Sequence, residues 1–433
     1  MMQGLLLSAP ASNQGKTVVS VGLLALLRQR LGADRVVGAK AGPDYIDTAY
    51  LGDGQRRLAL SLDPWAMRPQ AIQELLAHRD ESHLLVEGTM GLFDGSADRG
   101  RGSSADLAAM LGLPVVLVVD VRGASQSVAA LVGGFASHRA DVSMAGVILN
   151  RVGSDRHKQM LVEALAPLGL PVLGAIPRDA ALHLDERHLG LVQAGEHRAV
   201  AQIQSDLAAA LAPHVDLDAI EAAFTPVKRS SSQADQSRPI LPARQRLAIA
   251  DDPAFRFCYG HWRRSCGHQV KTFSPLADQP VPGDVDFIFL PGGYPELHLE
   301  TLAKADRFWC SLKQAAEAGV TIYGECGGYM CLGESITDAN GKRFAAAGLL
   351  PVSTSFERPK RALGYRQLEC LHGETWLAQG AQLKGHEFHY CQVVEQDQPN
   401  FLTARDARGQ DQGTHGHVQG SVSGSFMHLI DWA

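Results

Sequence analysis

The chain has no cysteine before Cys258, no Lys/Arg run beyond pairs such as Lys228-Arg229, and a longest apolar run, around Leu113 to Val119, that is short. Each shortage excludes something. A helix needs about 20 apolar residues to span a bilayer, so no membrane-spanning helix is expected. The formal charge of −6, without a basic stripe, offers no footprint for nucleic acid or an anionic membrane surface, leaving small molecules as the expected partners. The seven cysteines are odd in number and form no C-x-x-C pair, which argues against a disulfide framework and a zinc site and fits a reducing compartment. Met1-Met2-Gln3 leads into Leu5-Leu6-Leu7 without a basic segment and a long apolar one, so the cytoplasm is the expected location.

What is present suits a globular α/β protein. At 433 residues, with 45% hydrophobic and 20% charged, the chain is long enough for two cores. Short β-rich runs, Leu5 to Ser8, Arg35 to Ala39, Leu84 to Glu87, Val115 to Asp120, Ala145 to Asn150 and Pro171 to Ile176, alternate with segments of helical period. That rhythm predicts βαβ units and a mostly parallel sheet. Residues 225–246 turn polar, with Ser230-Ser231-Ser232, Pro239 and Pro242, and read as a linker between a domain over 1–224 and a second over 247–433. Strand signals resume at Leu247 to Ala250, Val285 to Leu290 and Val320 to Tyr323, predicting a second α/β domain that ends in β-rich text.

Ser8 to Thr17 follows a strand and precedes the apolar helix Val18 to Leu27. This context suits a phosphate loop: Ser12 and Gly15 belong to the backbone cradle, Lys16 supplies a positive charge, and the Thr17 hydroxyl can ligate Mg²⁺. Pro10 stands where GxxxxGKT has its first glycine. Lys40 to Asp47 and Glu87 to Gly95 follow the second and third strands, at the sheet end where such folds bind ligands. Asp44, Asp47 and Glu87 are therefore expected to join Thr17 around Mg²⁺, although Asp44 and Asp94 also suit glycine-containing turns.

In the second half, Gly324-Glu325-Cys326-Gly327-Gly328 predicts a sharp strand-to-helix turn with the Cys326 sulfur at a helix N-terminus, a placement that lowers a thiol pKa. Leu290-Pro291-Gly292-Gly293 ends another strand, and the Gly293 amide with that of Gly327 suits an oxyanion hole. His428 is the candidate base. His386-Glu387-Phe388-His389 lacks the spacing of a zinc helix and suits support of the cysteine pocket or plain packing.

KAGPDYIDTAY (40–50), LDPWAM (62–67), VEGTMGLFDG (86–95), GVILNRVGS (146–154), ERHLGL (186–191), PGGYPEL (291–297), ECGGYM (325–330) and GHEFHY (385–390), with His428, closely resemble the cobyrinic or hydrogenobyrinic acid a,c-diamide synthase family of cobalamin biosynthesis. The resemblance implies a P-loop-type synthetase domain that binds ATP and a corrin precursor, followed by a class I, triad-type glutamine amidotransferase domain. It implies that Cys326 and His428 release ammonia from L-glutamine, free ammonia being an alternative donor. ATP would activate a peripheral carboxylate as an acyl phosphate, the cycle running twice, at the c and a side chains. It further implies that Ser12, Gly15, Lys16 and Thr17 hold ATP, that Asn150 reads adenine, and that Asp44, Tyr45, Asp47 and Asp94 lie near the substrate. Another tetrapyrrole such as a nickel sirohydrochlorin, the later carboxylates of cobyric acid synthase, and a nucleotide switch with a degenerate glutaminase domain are the other readings. A homodimer is a possible assembly.

The chain departs from the family pattern at Thr48-Ala49-Tyr50, where a proline and a histidine are usual, and at Ser12-Asn13, where Ser-Gly is common. Ile430 occupies the place of a glutamate two residues beyond the histidine, so a Cys-His dyad without an orienting carboxylate is expected.

Overall fold

A computed structural model describes every residue other than 53–58, 97–99, 179–196, 230–239, 242–245, 265–269 and 374; of 46–47, 197–199 and 263–264 it describes the backbone alone. The chain divides into two compact units, Met1–Ser237 and Arg238–Ala433.

The first unit is built on β1 (Gln3–Ser8), β2 (Val36–Ala41), β3 (Leu60–Leu62), β4 (His83–Glu87), β5 (Val115–Asp120), β6 (Met144–Val152), β7 (Val172–Pro177) and β8 (Thr225–Pro226). The order is β3-β2-β4-β1-β5-β6-β7, parallel throughout, with β8 added antiparallel to β1. The apolar strand runs are buried on both faces, as a sheet sandwiched by crossover helices requires. Helix α1 (Lys16–Leu31) starts after Gly15, which is in the left-handed conformation, and ends at Gly32. Val19, Val21, Leu23, Leu24 and Leu27 are all buried, because α1 lies between the sheet and the helix His197–Leu211. Each such burial contributes roughly 1.5–3 kcal/mol. The stretch expected as linker begins inside this unit: Thr225 and Pro226 pair with Gly4 and Gln3, and Val227 donates to the Met2 carbonyl. Most of its remainder, like the ERHLGL string, lies outside the described residues.

The second unit holds a sheet of β9 (Leu247–Ala250), β10 (Val270–Phe273), β11 (Phe287–Leu290), β12 (Thr321–Glu325) and the strands Val422–Ser425 and His417–Gln419, in the order β10-β9-β11-β12-(Val422–Ser425)-(His417–Gln419). A separate five-stranded antiparallel sheet contains Ala362–Cys370, Gln382–His389 and Met427–Trp432. The chain leaves the first sheet at Ser425 and enters the other at Met427. Phe426 is thus the single residue joining the strand beside β12 to the strand that carries His428. That crossing positions the catalytic candidates.

Candidate active sites

The phosphate loop sits at the carboxyl ends of β1, β4, β5 and β6, and side chains from β4 and β6 reach it. Asn13 is left-handed at φ 64°, a conformation that Asn tolerates better than most residues. A methyl group on Gly15 would lie 2.3 Å from the Asn150 Nδ2, so only glycine fits there. The Asn150 amide donates to the Gln14 carbonyl at 2.8 Å, the Asp120 N–H donates to Gln14 Oε1 at 2.8 Å, and Arg151 reaches the Asn13 carbonyl at 3.0 Å. Asn150, expected at the adenine, thus engages the loop itself. The loop after β4 is stitched to the same place: Leu92 N–H donates to the Ala9 carbonyl at 2.8 Å, and Gly91 N–H donates to Asp94 Oδ2 at 2.9 Å.

Lys40 and Glu87 are register partners on β2 and β4, and the Lys40 ammonium donates to Glu87 Oε1 at 2.8 Å with both side chains buried. Thr17 Oγ1 donates to the same oxygen at 2.7 Å. A hydroxyl and a carboxylate this close have nearly the spacing of adjacent ligands around Mg²⁺, about 2.9 Å for ligand distances near 2.0–2.1 Å. The hard oxygen donors fit that ion. Asp44 and Tyr45 precede the helix α2 (Ile46–Leu51), where Thr48 caps back to the Asp44 carbonyl at 2.5 Å. Asp47 lies in that helix, and its side chain is outside the described residues. Among the described residues no cluster of three His, Cys, Asp or Glu forms a ready metal cage, and His386 to His389 is no exception.

In the second unit, Cys326 stands at the elbow between β12 and the short helix Gly327–Leu332, with φ 48° and ψ −107°. Its N–H donates to the Ser425 carbonyl at 2.9 Å, which ties the elbow to the strand leading to His428. A methyl group on Gly292 would lie 2.5 Å from His428 Cε1 and 3.3 Å from Cys326 Cβ. The imidazole and the sulfur-bearing carbon therefore flank one position that only glycine can occupy. The amides of Gly327 and Gly293 both bond toward the Cys326 sulfur, and the thiol donates to the Phe388 carbonyl at 3.4 Å.

The electrostatics differ from expectation in one respect. Burial first, and then the charges of Glu296 and Glu325, push the Cys326 thiol well above its ordinary pKa, although the two glycine amides pull the other way. A helix of only six residues cannot offset that desolvation. Burial and the neighbouring His389 push His428 down to about 3. The resting pair is a neutral thiol beside a neutral imidazole.

Carboxylates surround this pair. Glu325 Oε2 lies 3.7 Å from His428 Nδ1, while Glu325 Oε1 accepts from the Leu429 N–H at 2.9 Å and the Tyr323 hydroxyl at 3.0 Å. Burial raises that carboxyl to about 8. The expected dyad thus has a carboxyl within reach of its histidine, supplied by the residue before the nucleophile. Glu387 accepts from Arg366 at 2.9 and 2.5 Å and pairs with His389 at 3.1 Å. The sequence reading gave no role to Lys40 and did not name Arg366. Lys40 opens the string KAGPDYIDTAY, but Arg366 lies in none of the motifs, and pairing partners on other strands were not visible.

A phosphate loop ending a parallel strand, and a cysteine elbow beside histidine and glycine amides, define a nucleotide-dependent synthetase joined to a glutamine amidotransferase. Residues 5–192 match the CobQ/CobB/MinD/ParA nucleotide binding domain and residues 246–432 match the CobB/CobQ-like glutamine amidotransferase domain. Hydrogenobyrinate a,c-diamide synthase of Brucella abortus is 51% identical, over 100% of this chain and 99% of its own. The enzymes of that name from Rhizobium meliloti, at 48% over 100% of each chain, and Rhodobacter capsulatus, at 44% over 99% and 98%, are similar throughout. This chain belongs to the hydrogenobyrinate a,c-diamide synthase family. Among solved structures, the septum site-determining protein MinD with Mg-ADP from Pyrococcus horikoshii is 19% identical over 48% of this chain and 95% of its own, at a TM-score of 0.32, too slight a likeness to carry an argument.

Proposed function

We propose that this protein converts the a and c carboxylates of hydrogenobyrinate to amides, using ATP and ammonia from glutamine. The observation that carries the reading is family membership over the full length, joined to a chain that retains Lys16, Thr17, Cys326 and His428.

In the second unit, His428 takes the proton of Cys326 as the sulfur attacks the side-chain amide carbon of glutamine. The N–H groups of Gly293 and Gly327 receive the developing oxyanion. His428 then gives the proton to the departing ammonia, and water releases glutamate from the thioester. Because the resting pair is neutral, proton transfer accompanies attack rather than preceding it.

In the first unit, Lys16 and the loop amides hold the phosphates of ATP. Thr17 and Glu87 would hold Mg²⁺, with Asp44 and Asp47 nearby, and the ion would neutralise phosphate charge. The substrate carboxylate attacks the γ-phosphorus, expelling ADP, and ammonia displaces phosphate from the acyl phosphate to leave the amide. Asp94 and Tyr45 line the substrate side, and Asn150 keeps the loop in shape beneath Gly15.

The test separates the two chemistries. Cys326→Ala should lose glutamine-supported amidation by at least about 10³-fold and keep turnover with ammonium. Lys16→Ala should lose amidation with either donor. Product mass after incubation with hydrogenobyrinate, cobyrinate or a sirohydrochlorin identifies the ring, two carboxylate-to-amide changes on hydrogenobyrinate being the expected result. Equal loss with both donors in Cys326→Ala would sink the reading.

A further inference from the structure

Glu296, in the PGGYPEL string, is a half-buried group that the mechanism above does not use. It follows Pro295, whose Cδ would lie 2.7 Å from a methyl group on Gly327, the residue after the nucleophile. The string thus packs its Gly293 amide and its glutamate against the same elbow. Glu296 Oε2 is closed off from solvent and has no hydrogen-bond partner among the described residues. When ionised it pushes up the thiols of Cys326, Cys331 and Cys391, in keeping with that placement. Burial without a cation raises it to about 8, the only opposing pull coming from its own backbone.

An unpartnered carboxylate is costly, and proteins keep one where a ligand supplies the missing charge. Glutamine carries an α-ammonium, which has to be recognised if the site is to take glutamine rather than other primary amides. The neighbouring carboxyls are engaged: Glu325 by Leu429 and Tyr323, Glu387 by Arg366 and His389. We infer that Glu296 binds the α-ammonium of glutamine and sets the amide donor's identity. This assignment rests on the glutaminase reading of Cys326.

The discriminating probe is 4-carbamoylbutanoate, which is glutamine without its amino group. The full-length wild-type enzyme should prefer glutamine over this analogue. In Glu296→Gln, KM for glutamine should rise roughly 10- to 100-fold, the range expected for losing a hydrogen bond to a charged group, while kcat changes far less. The preference over the analogue should collapse. Turnover with ammonium, which needs no glutamine, reports that the variant is folded, and Glu296→Asp should recover part of the preference. If Glu296→Gln keeps the wild-type preference while Cys326→Ala loses glutamine-supported turnover, this assignment alone falls. If Cys326→Ala keeps glutamine-supported turnover, the glutaminase reading falls and takes the assignment with it. Equal losses with ammonium and glutamine in Glu296→Gln would overturn the assignment in favour of a structural role.

Discussion

Cys326 holds a positive φ that a side-chain-bearing residue seldom adopts, and such strain, on the order of 1–3 kcal/mol, persists only where surrounding contacts over-determine it. Here those contacts are the Ser425 carbonyl on one side and Gly292 against the sulfur-bearing carbon on the other. The same tight burial keeps the thiol protonated. Without glutamine, alkylation of Cys326 by iodoacetamide, followed on its peptide by mass, should therefore be slow at pH 7 and climb without a plateau below about pH 9. A plateau near neutrality would mean a preformed thiolate. At the other site, Gly15→Ala should remove more than about 10-fold of ammonium-supported turnover and lower Tm, because the new methyl meets Asn150 as well as a left-handed backbone. Turnover and melting near wild-type values would show that the loop relaxes freely.

At the scale of elements, register does much of the positioning. Pairing of β2 with β4 sets Lys40 opposite Glu87, and pairing of Gln382–His389 with Met427–Trp432 sets His386 opposite His428. The strands Ala362–Cys370 and Gln382–His389 are further fastened by Arg366 and Glu387, a pair about nine-tenths buried, with side-chain exposures of 11% and 8%. Burial acts to raise Glu387, yet His389 and Arg366 hold it down to about 2. A carboxylate whose folded pKa lies below its unfolded value of about 4.3 adds stability above that value. The contribution is lost as pH falls toward 2. Wild-type Tm should consequently drop more steeply between pH 5 and 3 than that of Glu387→Gln. At pH 7 the variant should be less stable by about 3–5 kcal/mol, since Arg366 is left buried without its partner. Parallel Tm profiles would remove Glu387 from the acid response.

For the whole molecule, two cores in one chain assign the two chemistries to separate units. Hydrogen exchange should show Mg-ATP protecting 9–17 and 87–95, and a glutamine-derived covalent inhibitor on Cys326 protecting 291–297 and 385–389. A reversal of those patterns would contradict the division of labour. Much of this architecture was legible in the chain. Strand runs such as Val115 to Asp120 are short, β-branched and flanked by turns, and the loop ending Gly15-Lys16-Thr17 does its work within a few consecutive residues. Local information therefore sufficed for the strand pattern, the phosphate loop and the cysteine elbow. The protonation of Cys326, the carboxyl beside His428, the bracing of the loop by Asn150 and the solitary carboxyl of Glu296 were decided only by tertiary structure. The reason is physical: burial and pairing depend on groups brought together from distant parts of the chain, and no sequence window contains both members of such a pair.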